Sequence, residues 1–122
     1  MGELPEPFDD AVFYEDSYIY ACLANFPKVR GHSVVVWKDE VEDLHLLSRD
    51  DYEHLMDKVD EVRDAMLEVL DIEKVYLVYM DETEHVHWHL IPRYNEKGYD
   101  VLKYDPGLLE DFELAEEIEE RL

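Results

Sequence analysis

Hydrophobic and polar positions mark five short strand-like stretches in this chain, four of them apolar runs and the fifth alternating, and take helical spacing in one long stretch. Residues 11–14 read as a short strand, Glu15 and Asp16 as a turn, and residues 18–24 as a second strand that closes a hairpin. Asn25 to Gly31 is a loop, because Pro27 removes a backbone donor and Gly31 permits dihedrals closed to other residues. The β-branched run at 32–37 is a third strand. Ser48 then opens a helix as its N-cap, with Asp51 as the acidic partner at the third helical position. Leu55, Met56, Val59, Val62, Met66, Leu67 and Leu70 follow, with Tyr52, as one apolar stripe, while Glu53, Asp57, Asp60, Glu61, Asp64 and Glu68 form a solvated face. Residues 75–80 are a fourth strand, Asp81 to Glu84 a turn, and residues 85–91 a fifth strand antiparallel to the fourth. Past Pro92 the chain reads as loop, with a turn at 95–98 and then a short acidic helix over 108–121. The thin stripe of Leu109, Phe112, Ala115 and Ile118 leaves open whether that helix docks or frays. No repeat and no boundary divides the chain, so one domain is expected over 1–122, with its core at about 8–94 and an extension at about 95–122.

The fifth stretch changes the picture. His85, His87 and His89 alternate there with Val86, Trp88 and Leu90. On a strand, residues i, i+2 and i+4 share a face at roughly 6.5 Å per step. Imidazoles on one face each bring a donor and an acceptor that an apolar core cannot satisfy. A site that handles protons, phosphates or metals can use them.

Composition narrows what that site can be. A hydrophobic fraction of 47% and an aromatic fraction of 12% belong to a globular chain, and 122 residues can bury a core without staples. Cys22 has no second cysteine to pair with, which points to a reducing compartment. The absence of a basic, apolar leader and of any run near the ~20 apolar residues needed to cross a bilayer leads to the expectation of a soluble, cytoplasmic domain.

The net charge of −22, from 33 acids against 11 bases, excludes duplex nucleic acid and anionic membranes as general partners. Adaptation to a salty cytosol and an ordinary acidic surface account for it equally well. The acids are unevenly spread. Residues 17–37 and 85–94 contain no Asp or Glu but keep Lys28, Arg30 and Arg93, the pattern of a local anion pocket in an anionic protein. Lys28, Arg30, Lys38 and Arg93 are candidate phosphate contacts on that ground.

Three chemistries could use alternating histidines. Metal binding is one, since His at i and i+2 is a zinc-ligand spacing, although three ligands from one strand face diverge and no Glu follows the run. Nucleophilic catalysis at phosphorus is the second: a neutral imidazole attacks in line while neighbours hold the phosphoryl oxygens. The central position, His87, suits the nucleophile because it has a helper on each side. The third is purely structural. Elsewhere His45 reads as a packed residue in an apolar turn, His54 as solvated, and Cys22 as a buried apolar substitute.

His85-Val86-His87-Trp88-His89-Leu90-Ile91, followed by Pro92-Arg93, resembles the His-φ-His-φ-His-φ-φ signature of the histidine triad (HIT) superfamily. The spacing Pro27-x-x-x-Gly31-His32 is similar to that family's second motif, and the likeness spans roughly residues 8 to 94. The resemblance implies an α+β fold, with a five-stranded antiparallel sheet and one long packed helix, to which the short C-terminal acidic helix is added. It implies hydrolysis or transfer at the α-phosphate of a dinucleoside polyphosphate or nucleoside phosphoramidate, through a nucleotidyl-His87 intermediate. By position, His89 would contact the α-phosphate and leaving-group atom, His85 would orient the site, and His32 would complete it. His89 argues against the uridylyltransferase branch, whose motif is His-x-His-x-Gln.

Asn25, Ser33, Thr83 and Arg93 are the candidate substrate-binding residues, Asn25 for the ribose. No metal ligands and no obligatory cofactor are expected, with Mg2+ at most on the substrate phosphates, and the family's homodimer is expected. The chain also departs from the family pattern. Met80, Asp81 and Glu82 stand where many hydrolases have Gly-Gln and a hydroxyl residue, with only Thr83 offering a hydroxyl nearby; Ala24 stands where a ribose-binding Asp or Asn is common, and Glu40 stands where a His is frequent. Those departures keep a non-catalytic nucleotide- or metal-binding protein as the alternative.

Overall fold

The computed structural model describes residues 4–80, 83–94 and 107–122. Its strands are β1 (Val12–Glu15), β2 (Ile19–Leu23), β3 (Ser33–Trp37), β4 (Lys74–Val78) and β5 (His87–Arg93), and its α-helices are α1 (Arg49–Leu70) and α2 (Glu113–Glu119). They form the expected α+β architecture: one five-stranded sheet in the order β1-β2-β3-β5-β4, with every neighbouring pair antiparallel. The strand ends differ from the expected ones by a residue or two. The expected turn at 95–98 lies outside the described residues, as do Asp81 and Glu82 of the turn before the histidines.

The chain turns from β1 to β2 at Asp16, whose side chain does the work of a loop. Its Oδ1 accepts the Tyr18 and Ile19 N–H groups at 2.7 and 2.8 Å, and its Oδ2 accepts the Tyr14 hydroxyl at 2.7 Å. His54 on α1 reaches the same Oδ2 at 2.9 Å and lies edge-on to the Tyr18 and Trp37 rings. His54 is therefore not simply solvated; it ties α1 to the hairpin. Burial works to raise the Asp16 carboxyl pKa, but these hydrogen bonds to the ionised form win and hold it down at about 2.

Helix α1 begins as the cap motif predicts, with Ser48 Oγ accepting the Asp51 N–H at 3.2 Å. It ends at Asp71 in the left-handed conformation, which short polar side chains tolerate. Leu55, Val59, Val62 and Met66 are fully buried from this helix, and face Phe13, Ile19, Val35 and Leu90 of the sheet in one core. Each such side chain contributes about 1.5–3 kcal/mol of transfer free energy. Lys58, also largely buried, sets its ammonium 3.8 Å from the centre of the Tyr14 ring and pairs with Glu61.

The C-terminal helix docks. Leu114, Ala115 and Ile118 are buried in the same core, and Arg121 pairs with Glu68 of α1 at 3.2 Å. It starts later than its apolar stripe suggests, because the Leu109 N–H is committed to the Asn25 carbonyl at 2.7 Å rather than to a helical turn. His45, expected to be packed, instead projects into solvent with its side chain 74% exposed, bonded to Asp43. Among the described residues no helix is long and apolar enough to cross a membrane.

Candidate functional site

Strand alternation decides what the site can contain. Val35 and Trp37 of β3 and Leu90 of β5 turn into the core with the helices. Their neighbours Val34 and Val36, with His87 and His89, turn to the opposite face and line a cleft of about 170 Å3. His32, just before β3, joins them because Val34 pairs with His89 and Val36 with His87 across the two strands. The remaining walls include Tyr20, Cys22, Ala24 and Phe26, and residues 4–7 of the N-terminal segment supply Leu4, Pro5 and Pro7. Among the described residues no carboxylate lines this cleft, which agrees with the acid-free stretches of the sequence.

Four histidines have distinct hydrogen-bond roles. The Lys28 N–H donates to His32 Nδ1 at 3.1 Å, so the proton of neutral His32 sits on Nε2. His32 Nε2 is 3.0 Å from His89 Nδ1, and with that proton it donates to His89. His89 therefore carries its own proton on Nε2. His87 Nδ1 donates to the His85 carbonyl at 2.7 Å, which leaves the unshared pair of the neutral ring on Nε2. The His87 and His89 rings stand edge to face with centres 5.0 Å apart.

Burial first, then the neighbouring His89 and Lys28, pushes the His32 pKa down to about 3. Burial, then His87 and Lys28, pushes His89 down to about 4. The hydrogen bonds give the same direction a structural cause. A further proton on this pair would meet either the Lys28 N–H or the other ring's N–H and break a bond. Both rings are thus neutral near pH 7.

His85 departs from the expected strand. Regular pairing of β5 begins only at His87, and Glu84 before it adopts a positive φ of 57°. The Val86 N–H bonds the Val41 carbonyl, and the His85 ring turns to donate from Nε2 to the Trp37 carbonyl at 2.6 Å. His85 thus serves the site through its carbonyl, which fixes the His87 ring, and its side chain faces a separate hollow.

The other candidates divide. Asn25 lines the cleft, with its Nδ2 donating to the Glu6 carbonyl at 2.8 Å and so tethering the N-terminal segment over the site. Ser33 is fully buried beside the core, and its hydroxyl donates to the Gly31 carbonyl at 2.9 Å, so the structure does not bring it to the cleft. Thr83 lies in the hollow beside His85. Arg93 is at the far end of β5, opposite Lys74, away from the cleft lining. Lys28 acts on the site through its backbone N–H; Arg30 pairs with Asp111 and Lys38 with Glu15. Sequence reasoning missed the apolar wall of residues 4–7, for which the two prolines, Pro5 and Pro7, were the only signal of an extended, non-helical segment. Among the described residues no three His, Cys, Asp or Glu side chains converge on a metal-sized site.

A family model described as HIT domain matches residues 6–96. An uncharacterized HIT-like protein of Methanocaldococcus jannaschii is 30% identical over 125 residues, covering 98% of this chain and 91% of its own. Among solved structures, a hypothetical histidine triad nucleotide-binding protein of Sulfolobus tokodaii superposes with a TM-score of 0.74 at 23% identity, covering 91% of this chain and 82% of its own. A Hit-like protein involved in cell-cycle regulation from Bartonella henselae superposes with a TM-score of 0.76 at 20% identity, covering 92% and 86%. At those identities the structural likeness establishes the fold.

Proposed function

The chain belongs to the histidine triad family, and from that premise and the geometry of the cleft we propose that it hydrolyses or transfers a nucleoside monophosphate through a covalent intermediate on His87. The family as a whole is one of nucleotide-binding hydrolases and transferases. The observation that carries the proposal is the His87 ring itself. It is 4% exposed and held at Nδ1 by a backbone carbonyl, and its Nε2 has no partner among the described residues. A buried imidazole oriented in this way has an unshared pair to spend on an electrophile.

The nucleoside lies along the apolar wall of Tyr20, Phe26, Val34 and Pro7, with Asn25 beside the ribose. The α-phosphorus sits at His87 Nε2. His89 donates its Nε2–H to a phosphoryl oxygen or the leaving atom, and it is preorganised for this by the proton chain from Lys28 through His32. His87 attacks, the bond from phosphorus to the leaving atom breaks, and the electron pair departs with the leaving group. Where that atom is an amine nitrogen, it has first taken a proton from solvent, so the amine leaves neutral at that atom. Water then attacks the nucleotidyl-His87 and loses a proton, and the P–N electron pair returns to Nε2.

The test is AMP release from adenosine phosphoramidate and from diadenosine tetraphosphate, for wild type and His87→Ala. Loss of the nucleophile is expected to lower the rate by at least ~10³-fold. Equal rates for the two proteins, or nucleotide binding with no release, would replace the enzyme with a binding protein that keeps the pocket. The family's homodimer is part of the same proposal: β4 is a sheet edge, and light scattering in solution would return the mass of two chains rather than one.

A further inference from the structure

Residues 4–7 stand between two openings on the sheet face. Leu4, Pro5 and Pro7 line both the histidine cleft of about 170 Å3 and an adjoining hollow of about 530 Å3, so the segment, with Tyr20, divides the two. Its attachments are unequal. At one end Phe8 is fixed: its ring stands edge-on to Phe112 at 5.7 Å, and its carbonyl accepts the Ala11 N–H at 2.9 Å. Short of Phe8, the bond from Asn25 Nδ2 to the Glu6 carbonyl is the one hydrogen bond that residues 4–7 make among the described residues. Pro5 and Pro7 bring no N–H and fix their own φ, so the segment is a stiff extended strap that needs no ladder partner and can swing about few bonds. Asn25 is the rigid side of this latch, because its own carbonyl holds the Leu109 N–H at 2.7 Å.

With the strap latched, the cleft is too small for a nucleotide. Small-molecule sites enclose roughly 300–1,000 Å3. The cleft alone falls short of that range, whereas the cleft joined to the hollow falls inside it. His32 and His87 are each 4% exposed, so the reacting atom is covered as well. The Glu6 carbonyl also occupies the amide proposed to meet the ribose. We propose that residues 4–6 are a gate on the histidine cleft: latched to Asn25 they shut it, and the nucleotide enters when they swing out on Phe8 and a ribose hydroxyl replaces the Glu6 carbonyl at Asn25 Nδ2. Pro7, next to the fixed Phe8, stays as part of the nucleoside wall. The gate rests on the reading of the cleft as a nucleotide site and adds to it the step that admits the substrate. One exposed hydrogen bond and one partly buried leucine keep it shut by about ten- to a hundredfold, and apparent affinity is lowered by the same factor.

The test compares wild type with a chain in which one Met replaces residues 1–6, and with Leu4→Ser, which keeps every acid. Binding of etheno-AMP is followed by stopped-flow fluorescence in about 0.5 M NaCl, where long-range charge is screened; turnover plays no part in the readout. The shortened chain should associate at least about tenfold faster than wild type with an unchanged dissociation rate, and Leu4→Ser should show part of that rise. Equal association rates for wild type and either variant would overturn the gate. So would faster dissociation from the shortened chain, which would make the strap a lid that folds over bound nucleotide. If no form binds etheno-AMP, the nucleotide reading fails, and the gate is judged by N-ethylmaleimide alkylation of Cys22, the single cysteine, which lines the cleft and is 5% exposed. Shortening the chain should speed that reaction about tenfold. Equal alkylation rates overturn the gate as well.

Discussion

The neutral His32–His89 pair makes a quantitative prediction about stability. In the unfolded chain a histidine takes up its proton near pH 6.5, whereas burial and the hydrogen-bond chain keep both of these neutral in the fold down to about pH 3 and 4. Between those limits the unfolded state binds more protons than the native state, so stability falls as pH falls from 6.5 and is level above it. At pH 5 the cost per histidine is set by the distance from 6.5 alone, because both native values lie well below 5. It comes to about 2 kcal/mol each, or about 4 kcal/mol for the pair at most.

The measurement is urea unfolding of wild type, His89→Gln and His32→Gln/His89→Gln at pH 7 and pH 5, at one ionic strength. Groups that do not touch the pair contribute equally to all three proteins and cancel in the difference of differences. Wild type should lose about 2 kcal/mol more than the single variant across that interval and about 4 kcal/mol more than the double. If all three lose the same amount within about 0.5 kcal/mol, the pair is not held neutral and the proton chain from Lys28 is wrong.

Two further expectations rest on other features. Gly31 precedes His32 with a φ of 90°, and a Cβ there would come within 2.8 Å of Leu70 Cδ1 and 3.3 Å of Pro92 Cγ. Gly31→Ala should therefore cost about 1–3 kcal/mol in urea unfolding, mostly from the backbone conformation since the Leu70 tip can move, and a variant as stable as wild type would contradict this. The net charge of −22 repels nucleotides from a distance, so kcat/KM for adenosine phosphoramidate should rise as salt increases from low to moderate concentration. A falling rate over that range would contradict it.

What was legible in advance follows from what a local pattern can encode. Alternation assigns a face, and so it placed His87 and His89 together and turned Trp88 and Leu90 away from them; the Pro-x-x-x-Gly-His spacing brought in His32. Capping is equally local, and Ser48 starts α1 where its spacing to Asp51 says it should. Alternation cannot say where pairing stops. His85 leaves the strand because Val86 bonds Val41 and the Trp37 carbonyl is within reach, neither of which has any signature near residue 85. The roles of His45 and His54 were inverted for the same reason. A polar-looking position on α1 faces Asp16 from another element, while an apolar-looking turn faces nothing. Ser33 looked adjacent to the site in sequence, and its period sends it to the core side.

The acids show this limit most sharply. Along the chain they read as a solvated surface, and the two acid-free stretches read as the pocket. Neither reading contains the hollow, because Glu6, Glu40, Glu42 and Glu84 are gathered only when the N-terminal segment crosses the sheet face and Asn25 holds it there. The residues proposed to perform the chemistry can be read from one strand and one loop. The acids around the hollow lie on segments with no periodicity of their own, and their positions depend on the whole fold.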